Sequence, residues 1–174
     1  MYYVYAQATS GTATYTATSP VHGTAHGSVS LAPSGVIIQG PSGCVSTYCG
    51  NISITGAAQN PALGSLTVST YYLNQDGTVA ADGDFEQLAG NAGNVPLTVL
   101  LTNSNPTAGT LPGEMGSAAS VTVAPGTPST SFLFTPVTSG MSTTVGVTTP
   151  TGWTTAGPFN GTLNLTSITL PVVP

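Results

Sequence analysis

The sequence predicts an all-β chain: an antiparallel β-sandwich, immunoglobulin-like or jelly-roll, of about ten strands with an extended N-terminal strand. Three observations carry this. Apolar and polar residues alternate over short runs, which is the period of a half-buried strand. Thr and Val are abundant throughout, and both suit a pleated, half-buried surface. Turn chemistry separates the runs, at Gln75-Asp76-Gly77, Asn105-Pro106, Pro125-Gly126, Ser139-Gly140 and Thr151-Gly152. Helix signals are nearly absent, and the best of them, Asp84 to Ala89, offers little more than one turn.

The elements follow in chain order. Met1 to Pro20 reads MYYVYAQATSGTATYTATSP. Tyr2, Val4, Ala6 and Ala8 share one parity, whereas Ala13, Tyr15 and Ala17 share the other. The switch falls at Ser10-Gly11, so the chain is expected to bend or change partner there. Two readings stay open: the first two strands of the sandwich, or an arm that pairs with a neighbour. Ser28–Leu31 and Gly35–Gln39 flank an Ala-Pro-Ser turn. Asn51–Ala57 carries Ile52 and Ile54 on one face, and Ser65–Leu73 carries Leu66, Val68 and Tyr72. Pro96–Asn103 is the most apolar run, with Leu97, Val99 and Leu101 on one side and Leu100 on the other. Val121 and Val123 alternate, as do Phe132 and Phe134, then Val145 and Val147. The last strand, Gly161–Leu170, carries Leu163 and Leu165, then Ile168 and Leu170 after a parity change.

Composition bounds the function. The 174 residues suit one domain, or one domain with an arm, and 40% hydrophobic content argues against disorder. Lys and Arg are absent, and the net charge is −5. Without cations no phosphate backbone is neutralised, so nucleic acid is excluded as a partner. Phosphoryl transfer loses its usual clamps. Schiff-base chemistry and Lys–Asn crosslinks are impossible, and anionic membranes are disfavoured. A surface hydrated by hydroxyls changes little with pH, which suits an extracellular location. No run is apolar enough for a transmembrane helix. A secretory signal needs a basic segment, so export by the general route would make this the mature chain.

Few residues offer site chemistry. Cys44 and Cys49, bracketed by Gly43 and Gly50, are expected to form a local disulfide. Asp82, Asp84 and Glu86, with Asp76 nearby, are a candidate calcium cluster of hard oxygen ligands. Their spacing is not that of an EF-hand loop, so a solvated loop is the preferred reading. No other cofactor and no other metal is expected. His22 and His26 are four residues apart on a strand or loop, which is too far to share a metal unless the chain folds back at Gly23. No G-x-S-x-G elbow occurs and no carboxylate pair is singled out, so the chain is read as a non-enzyme.

Three glycosylation sequons stand at Asn51, Asn160 and Asn164, while Asn105 is blocked by Pro106. With Ile52, Ile54, Leu163 and Leu165 facing the core, all three asparagines face outward, free to carry N-glycans.

The MYYVYAQATSGTATYTAT arm, the outward sequons and the alternating strands together resemble the subunits of extracellular filaments built by donor-strand complementation. Among these the chain looks most like the thread filaments of thermoacidophilic archaea; bacterial chaperone–usher pilins share the principle. The resemblance implies a cell-surface appendage, used in adhesion, in which each subunit fills its neighbour's groove with an N-terminal strand. The partners are then identical subunits in a head-to-tail homopolymer. Residues 1–11 become the donor arm and hinge, and 12–174 the sandwich. Tyr2, Tyr3, Val4, Tyr5, Ala6 and Ala8 would supply the donor strand, with Ser10 and Gly11 as the hinge. Donation of Ala13, Tyr15 and Ala17 as well stays open. The alternatives are a monomeric adhesin or carbohydrate-binding module, for which Trp153 is the only tryptophan, and a viral capsid or decoration protein.

Overall fold

The computed structural model describes residues 11–43, 51–55, 64–78, 95–155 and 162–168. Among the described residues there is no α-helix. The strands are β1 (Thr12–Ser19), β2 (Gly23–Ser30), β3 (Ser34–Gln39), β4 (Asn51–Thr55), β5 (Ser65–Tyr72), β6 (Leu97–Asn103) and β7 (Gly109–Thr110). Then follow β8 (Ala118–Val123), β9 (Ser129–Leu133), β10 (Thr135–Pro136), β11 (Ser142–Thr148), β12 (Thr154–Thr155) and β13 (Thr162–Ile168). A 3-10 turn, Pro41–Gly43, follows β3.

Among the described residues two sheets make the body. One has five strands in the order β4-β13-β11-β6-β8, and the other has four, β12-β3-β5-β9. Neighbours run antiparallel except at β13–β4 and β12–β3, which are parallel. Two small ladders lie outside these sheets: β1 with β2, and β10 with β7. The fold is thus all-β and sandwich-like, as the alternation predicts.

The inner faces meet in one core. Val99 and Leu101 of β6, Val123 of β8, Val145 of β11, Leu165 of β13 and Ile54 of β4 line one side. Val36 and Ile38 of β3, Leu66 and Val68 of β5, and Phe132 line the other. In β6 the alternation is strict: Val99 and Leu101 are fully buried, whereas Leu100 between them is 54% exposed. A slip of one residue would reverse every one of these positions, so the core fixes the register. Phe134 is fully buried in the same core. Its N–H donates to the Gly64 carbonyl at 2.8 Å. Its ring lies over Gly109, where any Cβ would overlap it.

Alternation fails at β3, where Val36, Ile37 and Ile38 are all buried. Ile37 points away from the main core, on the face it shares with Ser69 and Tyr71 of β5. That outer face is buried too, with Tyr71 at 7% and Leu73 at 1% exposure. A strand covered on both sides reads as a continuous apolar run, as Gly35–Ile38 does.

The ribbon also departs from expectation. The sequence suggests a strand starting at Ser28, but β2 starts at Gly23 and pairs back onto β1 rather than forward onto β3. Thr12–Ser30 therefore form a hairpin whose ladder joins neither large sheet. The short helical turn read at Asp84–Ala89 lies outside the described residues.

Candidate functional site

The β1–β2 ribbon is the described part of the N-terminal region. Its ladder runs from Thr12↔Ser30 to Ser19↔Gly23 without a break. At the open end the Leu31 N–H donates to the Gly11 carbonyl at 2.9 Å. At the turn the Ser19 hydroxyl accepts from the Val21 and His22 amides, each at 3.3 Å. Gly23 closes that turn with φ +79°.

Period-2 geometry gives the ribbon two unlike faces. Thr12, Thr14, Thr16 and Thr18 share one face with Ser30, Ser28, His26 and Thr24. There Thr16 Oγ1 lies 3.0 Å from His26 Nδ1, and Thr18 Oγ1 lies 3.3 Å from Thr24 Oγ1. The other face carries Ala13, Tyr15 and Ala17 opposite Val29, Gly27 and Ala25. The Tyr15 ring lies across Gly27, occupying the space that a Cβ there would need. Tyr15 is nevertheless 47% exposed and Val29 41%. Among the described elements, neither strand of the ribbon packs extensively on anything but the other. Gly11, at the ribbon's start, has φ +100° and nothing within 4 Å of a built Cβ. That conformation is one L side chains rarely adopt, so glycine is required there.

The remaining candidates fall as follows. Tyr2, Tyr3, Val4, Tyr5, Ala6, Ala8 and Ser10 lie outside the described residues, as do Cys44, Cys49, Asn160, Asp82, Asp84 and Glu86. Asn51 and Asn164 are register partners in the parallel β4–β13 ladder. Ser53 of the first sequon is exposed beside buried Ile54, and Thr166 of the last is half-buried beside buried Leu165. The Asp76 carboxylate caps its own turn, accepting from the Thr78 amide at 2.9 Å and hydroxyl at 2.6 Å. Those bonds hold its pKa below the usual value. His22 sits in the ribbon turn and His26 in β2. Among the described residues no group of three or more His, Cys, Asp or Glu converges. Trp153 is half-buried and packs against the core. It flanks a shallow depression of about 290 Å³ with Pro33, Ser34, Gly152 and Thr154.

Sequence reasoning missed a buried polar cluster on β6, β11 and the loop between β7 and β8. Asn103, at 0% exposure, sits with Val99 and Leu101 on the inner face. Its Oδ1 accepts from Thr143 Oγ1 at 2.6 Å. Its Nδ2 donates to the Gly109 carbonyl at 2.8 Å and to Glu114 Oε1 at 2.9 Å and Oε2 at 3.1 Å. The Leu111 amide fixes the carboxylate by donating to Oε2 at 2.7 Å. The signal was available: Asn103 continues the inward parity of Leu97, Val99 and Leu101, and Thr143 that of Val145.

No protein-family model matches the chain, and no curated protein matches it. Among the described residues no helix is long and apolar enough to cross a membrane.

Proposed function

We propose that this protein is the structural subunit of an extracellular filament, polymerising by strand donation from its N-terminal arm into the neighbouring subunit. The observation that carries the reading is the β1–β2 ribbon, which belongs to neither sheet and leaves Tyr15 and Val29 half-open. A lone two-stranded hairpin is marginal in water, so such an element gains most from a partner that covers it. The left-handed glycine at position 11 gives the arm freedom to leave the ribbon's direction. An incoming strand satisfies backbone donors and acceptors at an open sheet edge while its side chains fill an apolar floor. A head-to-tail contact whose rotation does not close propagates as a fibre. The absence of Lys and Arg and the three sequons fit a glycosylated surface appendage.

The test is deletion of residues 1–10. The full chain should run as multimers that resist heat and SDS and should show filaments in negative stain, while the deletion variant should give folded monomers. Discrete monomers from the full chain, with sugar binding lost on Trp153→Ala, would instead identify a binding module and overturn the proposal.

A further inference from the structure

We propose that Thr143 and Asn103 are joined by a side-chain ester in the mature protein, formed within the folded subunit with loss of ammonia. This is independent of how the subunit assembles. The three groups that such a reaction needs are already in contact. Thr143 supplies a hydroxyl, Asn103 a carboxamide carbon and Glu114 a carboxyl group. Thr143 is 4% exposed and Asn103 0%, so water is kept from the acyl carbon.

The geometry assigns a role to each contact. Thr143 Oγ1 is held 2.6 Å from Asn103 Oδ1, against the carboxamide it would attack. The Asn105 amide steadies the pair, donating to Thr143 Oγ1 at 3.0 Å and to Asn103 Oδ1 at 3.3 Å. The second contact places an N–H against Oδ1, where it draws electron density from the acyl carbon under attack. Ser104 Oγ lies 3.2 Å from Thr143 Oγ1 and is itself fixed by the Thr144 amide at 2.8 Å. On the leaving side, both oxygens of Glu114 face Nδ2.

The step balances without an oxidant or a co-reactant. The Cγ–Oγ1 bond forms and the Cγ–Nδ2 bond breaks. The hydroxyl proton of Thr143 passes first to Oδ1. From Oδ1 it passes to Nδ2 on the same tetrahedral carbon as the Cγ–Nδ2 bond breaks, while Glu114, both of whose oxygens accept from Nδ2, holds the leaving nitrogen, and Nδ2 departs as ammonia. A hydroxyl is a poor nucleophile toward an amide, but the reaction runs once per molecule. Fixed juxtaposition can supply effective molarities on the order of 10⁵–10⁸ M. The product would tie together β6 and β11, neighbours in the five-stranded sheet, through residues 40 apart in the chain.

Intact mass tests this. The full chain is made in a host that adds no glycans, purified in folded form and reduced to remove any disulfide mass difference. Its mass should fall below the sequence mass by one ammonia. Peptic digestion, which needs no Lys or Arg, should yield one branched species holding Asn103 and Thr143. Hydroxylamine should separate it into two peptides. Thr143→Val and Glu114→Gln should each return the full mass. A succinimide at Asn103 loses the same mass but gives no branched peptide and persists in Thr143→Val, so that outcome overturns the ester. So does wild-type chain with a β-type circular dichroism spectrum and cooperative unfolding that keeps its full mass. The wild-type mass and the branched peptide decide the matter even where a variant does not fold.

Discussion

At the scale of single residues, space decides which glycines matter. A Cβ at Gly109 would overlap the Phe134 ring and sit 2.8 Å from the Thr135 carbonyl oxygen, and neither can yield inside a packed core. Gly109→Ala should therefore lower stability by about 1–3 kcal/mol in urea unfolding. A Cβ at Gly27 meets only the Tyr15 side chain, which is half-exposed and free to swing outward. Gly27→Ala should leave the urea midpoint nearly unchanged while raising the exposure of Tyr15, read by its fluorescence or its solvent perturbation. Equal losses for the two variants would contradict this account. Sequence alone could not rank these glycines, because the distinction lies in a neighbour's rigidity rather than in the glycine's own surroundings along the chain. Asn103 is the opposite case. Its inward parity was legible, but its partners Glu114 and Thr143 come from a loop and a strand that only the fold brings together.

At the scale of elements, alternation identified β6, β8, β9 and β11 because each buries one face and wets the other. It placed β3 without revealing that both its faces are covered, and it missed the first half of β2, whose residues contact little beyond β1. Gly23-Thr24-Ala25-His26-Gly27 has no apolar stripe to read, since its pairing rests on backbone bonds and on Thr–Thr and Thr–His contacts with β1. The parity switch at Ser10-Gly11 was legible, and Gly11 does adopt a left-handed conformation. An element held mainly by its own ladder should open more easily than the body. In monomers of the chain lacking residues 1–10, amides of Thr12–Ser30 should exchange at least tenfold faster than those of β6 and β11. In assembled material they should slow toward the rate of the sheets. Ribbon amides that exchange as slowly in the monomer as in the assembly would show that the ribbon needs no partner.

At the scale of the whole molecule, the chain has no Lys or Arg to lose charge at alkaline pH, so its response to pH rests on few groups. Among the described residues the fold moves Asp76 and Tyr71 in opposite directions. Asp76 has its pKa lowered, chiefly by the Thr78 hydroxyl, so its contribution is present above the usual carboxylate range and fades as pH falls through the lowered value. The carboxylate is fully exposed, and solvent screening keeps that contribution small. Tyr71 has its pKa raised, because burial disfavours the phenolate more than its bond with Gln39 favours it. The folded state therefore holds the phenolic proton more tightly than the unfolded chain does. Stability from Tyr71 is complete below about pH 10, the unfolded value, and declines as pH rises through the raised one. Thermal unfolding followed by circular dichroism should give a midpoint that is nearly level across neutral and mildly acidic pH, then falls above about pH 10. Tyr71→Phe removes the ionisable group and keeps the buried ring, so it should flatten the alkaline limb and leave the acidic limb as it was. An alkaline fall of equal depth in that variant would assign the loss to other groups.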